Sequence, residues 1–234
     1  MTHSLLFPVF VKYHRGGDAN IEGRCLANLC NALKLADFDR FRLCYYYTTC
    51  YNIDSALRLL ENPRLNSNVL KFRTDRRWVR YCGRFSRIIS ECNLYKFTRL
   101  SDLNSISEAV SIVEKWYYFG RYAAFLFLET YFAAVKPNWK DDVVFAWEPE
   151  ENYTLGAKSL INESDSLSLN TLLAELKRVP TDKNNSNSLA IETGLCGFWK
   201  ILKGTRYDGF YKDRMLNEAK TSGFRDLILS CANE

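Results

Sequence analysis

The stretch YYFGRYAAFLFLETYFAAV, Tyr117–Val135, decides the fold class of this chain. Apolar and aromatic residues fall on every side of a 3.6-residue wheel, so a helix here has no solvent face and belongs at the centre of the protein. Glu129 interrupts the run and Lys136-Pro137 ends it, which makes it too short and too polar to span a membrane. Near its start, Gly120-Arg121 offers unpaired backbone N–H groups to an anion, although the glycine serves equally to let a neighbour pack close.

Working outward, the same helical periodicity recurs. Ser105–Trp116 has Ile106, Val110 and Val113 on its inner side, after a connector at Thr98–Leu103. Asp37–Tyr51 is apolar and aromatic, and Asp54–Glu61 follows it. Ile21–Lys34, with Asp18 or Asn20 as its cap, repeats apolar Ile21, Cys25, Leu26, Leu29 and Leu33. Arg24 lies in the first turns of that helix, where a cation opposes the dipole, so an acid or a bound anion is its natural partner. Phe72–Cys92 reads as one helix carrying Arg76, Arg80, Arg84 and Arg87 along one side. Like charges stacked in this way repel, and a polyanion or acids from elsewhere would relieve them. Leu155–Leu160, Leu167–Val179 and Met215–Ala232 complete a mostly α chain, with a break near Gly223. No repeat of fixed period appears and strand-like alternation is scarce, so a single compact multi-helix domain over 1–234 is expected.

The segment Leu189–Arg214, LAIETGLCGFWKILKGTRYDGFYKDR, carries the densest chemistry. Glu192, Cys196, Lys200 and Lys203 share one helical face, and Gly204 marks its stop. Arg206, Tyr207, Tyr211, Lys212, Asp213 and Arg214 then crowd a segment too rich in large side chains for an ordinary turn. A carboxylate, a lysine, arginines and phenols can together bind an anion and stack on a ring. The same residues also suit an ordinary salt-bridged helix followed by a loop that snorkels.

Composition narrows the classes. In 234 residues, 47% are hydrophobic and 15% aromatic, enough for a real core, and the net charge of +5 leans toward anionic partners. Eight cysteines without a signal-peptide pattern or paired CxxC knuckles read as reduced thiols in a cytoplasmic protein. No GxxxxGK(S/T), GxGxxG or GxSxG is present, and His3 and His14 are too few for a histidine triad or metal cluster.

The pattern E-x2-L-C-x3-K, here Glu192, Leu195, Cys196 and Lys200, followed by RYDGFYKDR, resembles the α-glutamyl/putrescinyl-thymine pyrophosphorylases, the phage amino acid:DNA transferases. FPVFVKYHRGGDANIEGR near the start, Thr48–Tyr51, Asp75-Arg76-Arg77 and Phe119–Phe125 look like blocks of the same family in the same order. A similar helix occurs in the helical domain of phage 5-hydroxymethyluracil DNA kinases. Gly197-Phe198-Trp199 departs from the apolar or small residue expected after the cysteine, which blurs the choice between these sisters.

The resemblance implies an all-α, glycosylase-like arrangement and a specific reaction on DNA containing modified thymine. An upstream 5-hydroxymethyluracil DNA kinase supplies a 5-pyrophosphomethyl group, and the transferase replaces pyrophosphate with an amine from an amino acid or polyamine. Clustered cations would stabilise the leaving group, and Arg24, Arg76, Arg77, Arg121, Lys200, Arg206 and Arg214 are the candidates. No protein metal ligand is assigned, and Mg²⁺ is a candidate helper. Glu192 is the first choice of base for the amine and Asp213 the second. Tyr207 and Tyr211 would stack on the exposed base, while Arg80, Arg84 and Arg87 would hold the DNA backbone. The expected location is the cytoplasm, that of the host for a phage-encoded protein, with no membrane partner. Two other classes stay open: a non-catalytic DNA-binding helical module, and a glycosylase-like base-processing enzyme, although no LPGVG-type hairpin is found.

Overall fold

Side-chain caps fix where several helices begin. Asn52, Asn93 and Ser105 each stand in extended backbone and accept from the N–H three residues on: Ser55 at 3.0 Å, Lys96 at 3.0 Å and Glu108 at 3.3 Å. Each satisfies a donor that a first helical turn leaves orphaned.

The computed structural model describes residues 5–15, 19–73, 83–142, 160 and 188–233. Within them the chain is mostly α, as expected. The helices are α1 (Phe7–Arg15), α2 (Ile21–Ala32), α3 (Asp37–Cys50), α4 (Ile53–Glu61), α5 (Phe85–Ser90), α6 (Leu94–Ser101), α7 (Ile106–Val113), α8 (Gly120–Ala134), α9 (Ser188–Leu202), α10 (Phe210–Ala219) and α11 (Arg225–Asn233). Among the described residues there is no strand, only an isolated bridge between Ser105 and Lys140. No described helix is long and apolar enough to cross a membrane. The helices expected at Leu155–Leu160 and Leu167–Val179 lie outside the described residues, Leu160 excepted.

Where a single domain is expected from the sequence, contacts group the chain into two units, Met1–Ile21 with Asp141–Asp213 and Glu22–Lys140 with Arg214–Glu234. Two of the dividing points fall inside α2 and α10, so no linker composition marks them.

In the unit that holds Glu22–Lys140, α3 packs on α4 and α8, and α7 lies on α8. Phe41 joins these elements. Its ring centroid stands 5.7 Å from Phe97, 5.7 Å from Phe127 and 6.0 Å from Tyr131, each pair close to edge-on. That geometry sets a positive ring edge against a negative ring face. Arg40 donates to the Leu35 carbonyl at 2.9 Å and to the Ala134 carbonyl at 3.1 Å. It thereby ties the start of α3 to the last turn of α8, where orphan carbonyls and the helix dipole favour a cation. The central-helix expectation holds, since α8 is buried through most of its length.

Three local expectations need correction. The helix expected over Phe72–Cys92 is not continuous: residues 74–82 lie outside the description, Gly83 has φ +64°, and Arg84 stands at the non-helical N-cap of α5. A left-handed glycine resets the chain direction, so a four-arginine face cannot run through it. The connector expected at Thr98–Leu103 instead begins inside α6, which Asn93 caps. The loop expected after Gly204 ends at Phe210, so Tyr211, Lys212, Asp213 and Arg214 belong to the first turns of α10.

In the unit that holds α9, that helix packs against α1. Phe10, Tyr13, Ala19, Leu160, Ile191, Leu195 and Phe198 form its core. Two buried glycines let the helices approach: a Cβ at Gly194 would lie 2.7 Å from His14 Nδ1, and one at Gly197 would meet the Tyr13 hydroxyl. Gly197→Val is therefore expected to lower stability by about 1–3 kcal/mol through overpacking, read as a fall in the urea midpoint of the full chain. An unchanged midpoint would show that α1 yields without cost.

Candidate functional site

The face of α9 that carries Glu192, Cys196 and Lys200 is half-buried, a setting in which charges act on one another more strongly than in water. Burial and then the Glu192 carboxylate push the Cys196 thiol up, while Lys200 and Arg206 are near enough to oppose them. The net direction is upward, so the thiol stays protonated at neutral pH and is no nucleophile. Glu192, Lys200 and Arg206 therefore all act on one small, uncharged group.

Gly204 brings Arg206 there. With φ +68° it turns the chain back, and the N–H groups of Thr205 and Arg206 both donate to the Lys200 carbonyl, at 3.0 and 3.2 Å. The Arg206 guanidinium lies 5.0 Å from the Phe210 ring centroid and 4.8 Å from that of Tyr211, and it donates to the Tyr211 hydroxyl. The Tyr207 hydroxyl donates to Asp213 at 2.7 Å. Sequence-predicted Glu192, Lys200, Arg206, Tyr207, Tyr211 and Asp213 thus fall in one unit. Arg206 takes up Tyr211, whereas Tyr207 remains 54% exposed and is the more open of the two for stacking on a base.

Arg214 belongs elsewhere. In the other unit it donates to Glu22 at 3.0 Å, within a buried network that the sequence reading did not single out. Arg73 reaches Glu22 at 2.6 Å and grips both oxygens of Glu218 at 2.8 Å each, while its guanidinium lies 4.5 Å from the Tyr51 ring centroid. Glu22 also accepts from the Tyr47 hydroxyl at 2.6 Å. Two arginines balance two carboxylates. Glu22 in the first turn of α2 was the available signal, but its partners come from distant parts of the chain.

The balance sets an acid response. Burial alone would raise Glu22, but Arg73, Arg214 and the Tyr47 hydroxyl outweigh it and hold the carboxyl below the ordinary value. A carboxyl depressed in the folded state stabilises above its unfolded pKa, and the contribution is lost as pH falls through the folded value. The urea midpoint should therefore begin to fall below about pH 4.3, and a Glu22→Gln variant should fall less steeply there. Parallel curves for the two proteins would remove Glu22 from the acid response.

The remaining cations are dispersed. Arg24 is half-buried on α2, Arg121 is exposed in the first turn of α8, and Arg76, Arg77 and Arg80 lie outside the described residues. Arg84 and Arg87 are exposed around the start of α5. Arg84 donates to the Tyr118 hydroxyl at 2.8 Å, and the Arg87 guanidinium lies 4.1 Å from the Tyr117 ring centroid. Tyr118 has φ +64°, a left-handed backbone that costs a non-glycine residue on the order of 1–3 kcal/mol. Among the described residues, no group of three or more His, Cys, Asp and Glu side chains is placed to hold a metal ion.

No family model matches this chain, and no match is found among curated proteins or solved structures.

Proposed function

We propose that the protein is a DNA-modifying transferase, which replaces the pyrophosphate of 5-pyrophosphomethyl-deoxyuridine in DNA with an amine. The observation that carries this reading is the set on and after α9: one carboxylate, Glu192, with two cations, Lys200 and Arg206, all acting on the protonated Cys196. A displacement at an exocyclic methylene needs that combination. The amine nitrogen forms the new bond to the methylene carbon, and the carbon–oxygen bond to pyrophosphate breaks. The leaving group departs with the electron pair. The proton released by the amine passes to Glu192, acting as general base. Lys200 and Arg206 stabilise the charge that develops on pyrophosphate, and Tyr207 offers a ring face for the base to stack on. Asp213, bonded to the Tyr207 hydroxyl, acts as a positioning residue for that ring.

The direct test incubates the protein with DNA carrying 5-pyrophosphomethyl-deoxyuridine and a mixture of amino acids and polyamines, with Mg²⁺ present and absent, then analyses nucleosides by mass spectrometry. An amine-adducted thymidine supports the transferase and identifies its amine. The exposed arginines at the start of α5, Arg84 and Arg87, favour a second reading, a DNA-binding module without turnover. Bound DNA that keeps its pyrophosphate would support that reading and overturn the first.

A further inference from the structure

We infer that the surface formed by Arg84, Arg87, Tyr117 and Tyr118 holds single-stranded DNA by stacking an unpaired base on the guanidinium plane of Arg87; the choice of DNA rests on the function proposed above. The Arg87 guanidinium, on exposed ground, lies 4.1 Å over the Tyr117 ring. The ring supports the guanidinium, a flat cation of the kind on which bases stack. The rings of Tyr117 and Tyr118 meet nearly edge-on, at 4.7 Å and 73°, so each braces the other. Arg84 donates one N–H to the Tyr118 hydroxyl, and the guanidinium has further N–H groups for a phosphate. Among the described residues neither arginine makes an ion pair, and the next acid in the chain, Glu91, is bonded to Lys96 at 2.8 Å. Their charge is therefore available to a polyanion.

A duplex keeps its base faces inside the stack, so a plate of this kind discriminates by strand state more than by sequence. Tyr118 at φ +64° and Gly120 at φ +58° set two left-handed steps within three residues, so both tyrosines stand in the turn that leads into α8.

The test is fluorescence anisotropy with a labelled, unmodified DNA strand of about 20 nucleotides, longer than the ~4–16 that a comparable site covers. The same strand is also presented as duplex and as RNA. No amine or pyrophosphate is involved, so the result is independent of whether transfer occurs. The expected result is tighter binding of the single DNA strand than of the duplex. Tyr117→Ala should weaken it about 5- to 100-fold. Arg84→Gln with Arg87→Gln, at exposed positions, should also reduce the salt slope by about 0.7 per arginine. Arg87→Lys keeps the charge and removes the plane, so it should lose affinity with its salt slope intact. Duplex bound as tightly as the single strand, RNA bound more tightly than DNA, or glutamine variants that bind like the parent would each overturn the inference.

Discussion

Arg73→Met is expected to cost about 3–5 kcal/mol of stability. Arg73 is 8% exposed, and its guanidinium bonds both oxygens of Glu218 while reaching Glu22 at 2.6 Å. Methionine fills much of the volume but leaves Glu22 with Arg214 and the Tyr47 hydroxyl, and strips Glu218 of the arginine that held both its oxygens. An uncompensated buried charge is what makes breaking such a network expensive, whereas replacing the whole set with apolar groups need not be. Arg73→Lys keeps the charge but loses the planar fork, and should fall between the two. Urea denaturation of the full chain, followed by far-UV circular dichroism, measures the difference. A midpoint shift worth less than about 1 kcal/mol would place the network with ordinary exposed ion pairs.

Glu192→Gln should reduce the rate of amine transfer about 10²- to 10⁴-fold while leaving DNA affinity nearly unchanged. The amide keeps the size and the hydrogen-bonding reach of the side chain but cannot take a proton from an ammonium. Its effect should therefore shrink as pH rises, because more of the amine is then already deprotonated. That pH trend separates a base from a residue that only shapes the pocket. Single-turnover assays across a pH series provide the readout. A variant that transfers at the parental rate at neutral pH would move the base assignment to Asp213.

The helical class was legible because its signal is local. The apolar run that became α8 needs no partner to be recognised, and the α9 face follows from spacing alone. Gly204 was readable as a stop because a left-handed residue after a helix favours glycine. The stacking of Arg206 on Phe210 and Tyr211 was half legible: the residue types were present, but nothing local said that α10 begins at Phe210. The arginine row failed for a related reason. Helical spacing was continued across Gly83, whose positive φ is a backbone choice that periodicity does not encode. Of the Glu22 network only Glu22 itself left a local signal, since Arg73, Tyr47 and Glu218 acquire meaning only when the tertiary fold brings them together.

The bond between Glu22 and Arg214 spans 192 residues of chain. A contact that remote is entropically late, because a very long loop must be closed before the bond gives anything back. During synthesis, Glu22 and Arg73 leave the ribosome well before Arg214 and Glu218 exist to join them. The segment Glu22–Lys140 can pair Glu22 with Arg73 and Tyr47, but the second arginine and the second carboxylate of the network are missing while the intervening chain is made. A nascent chain stopped before Arg214 should be recognised by chaperones and proteases as unfinished, and synthesis of α10 becomes the event that completes this network.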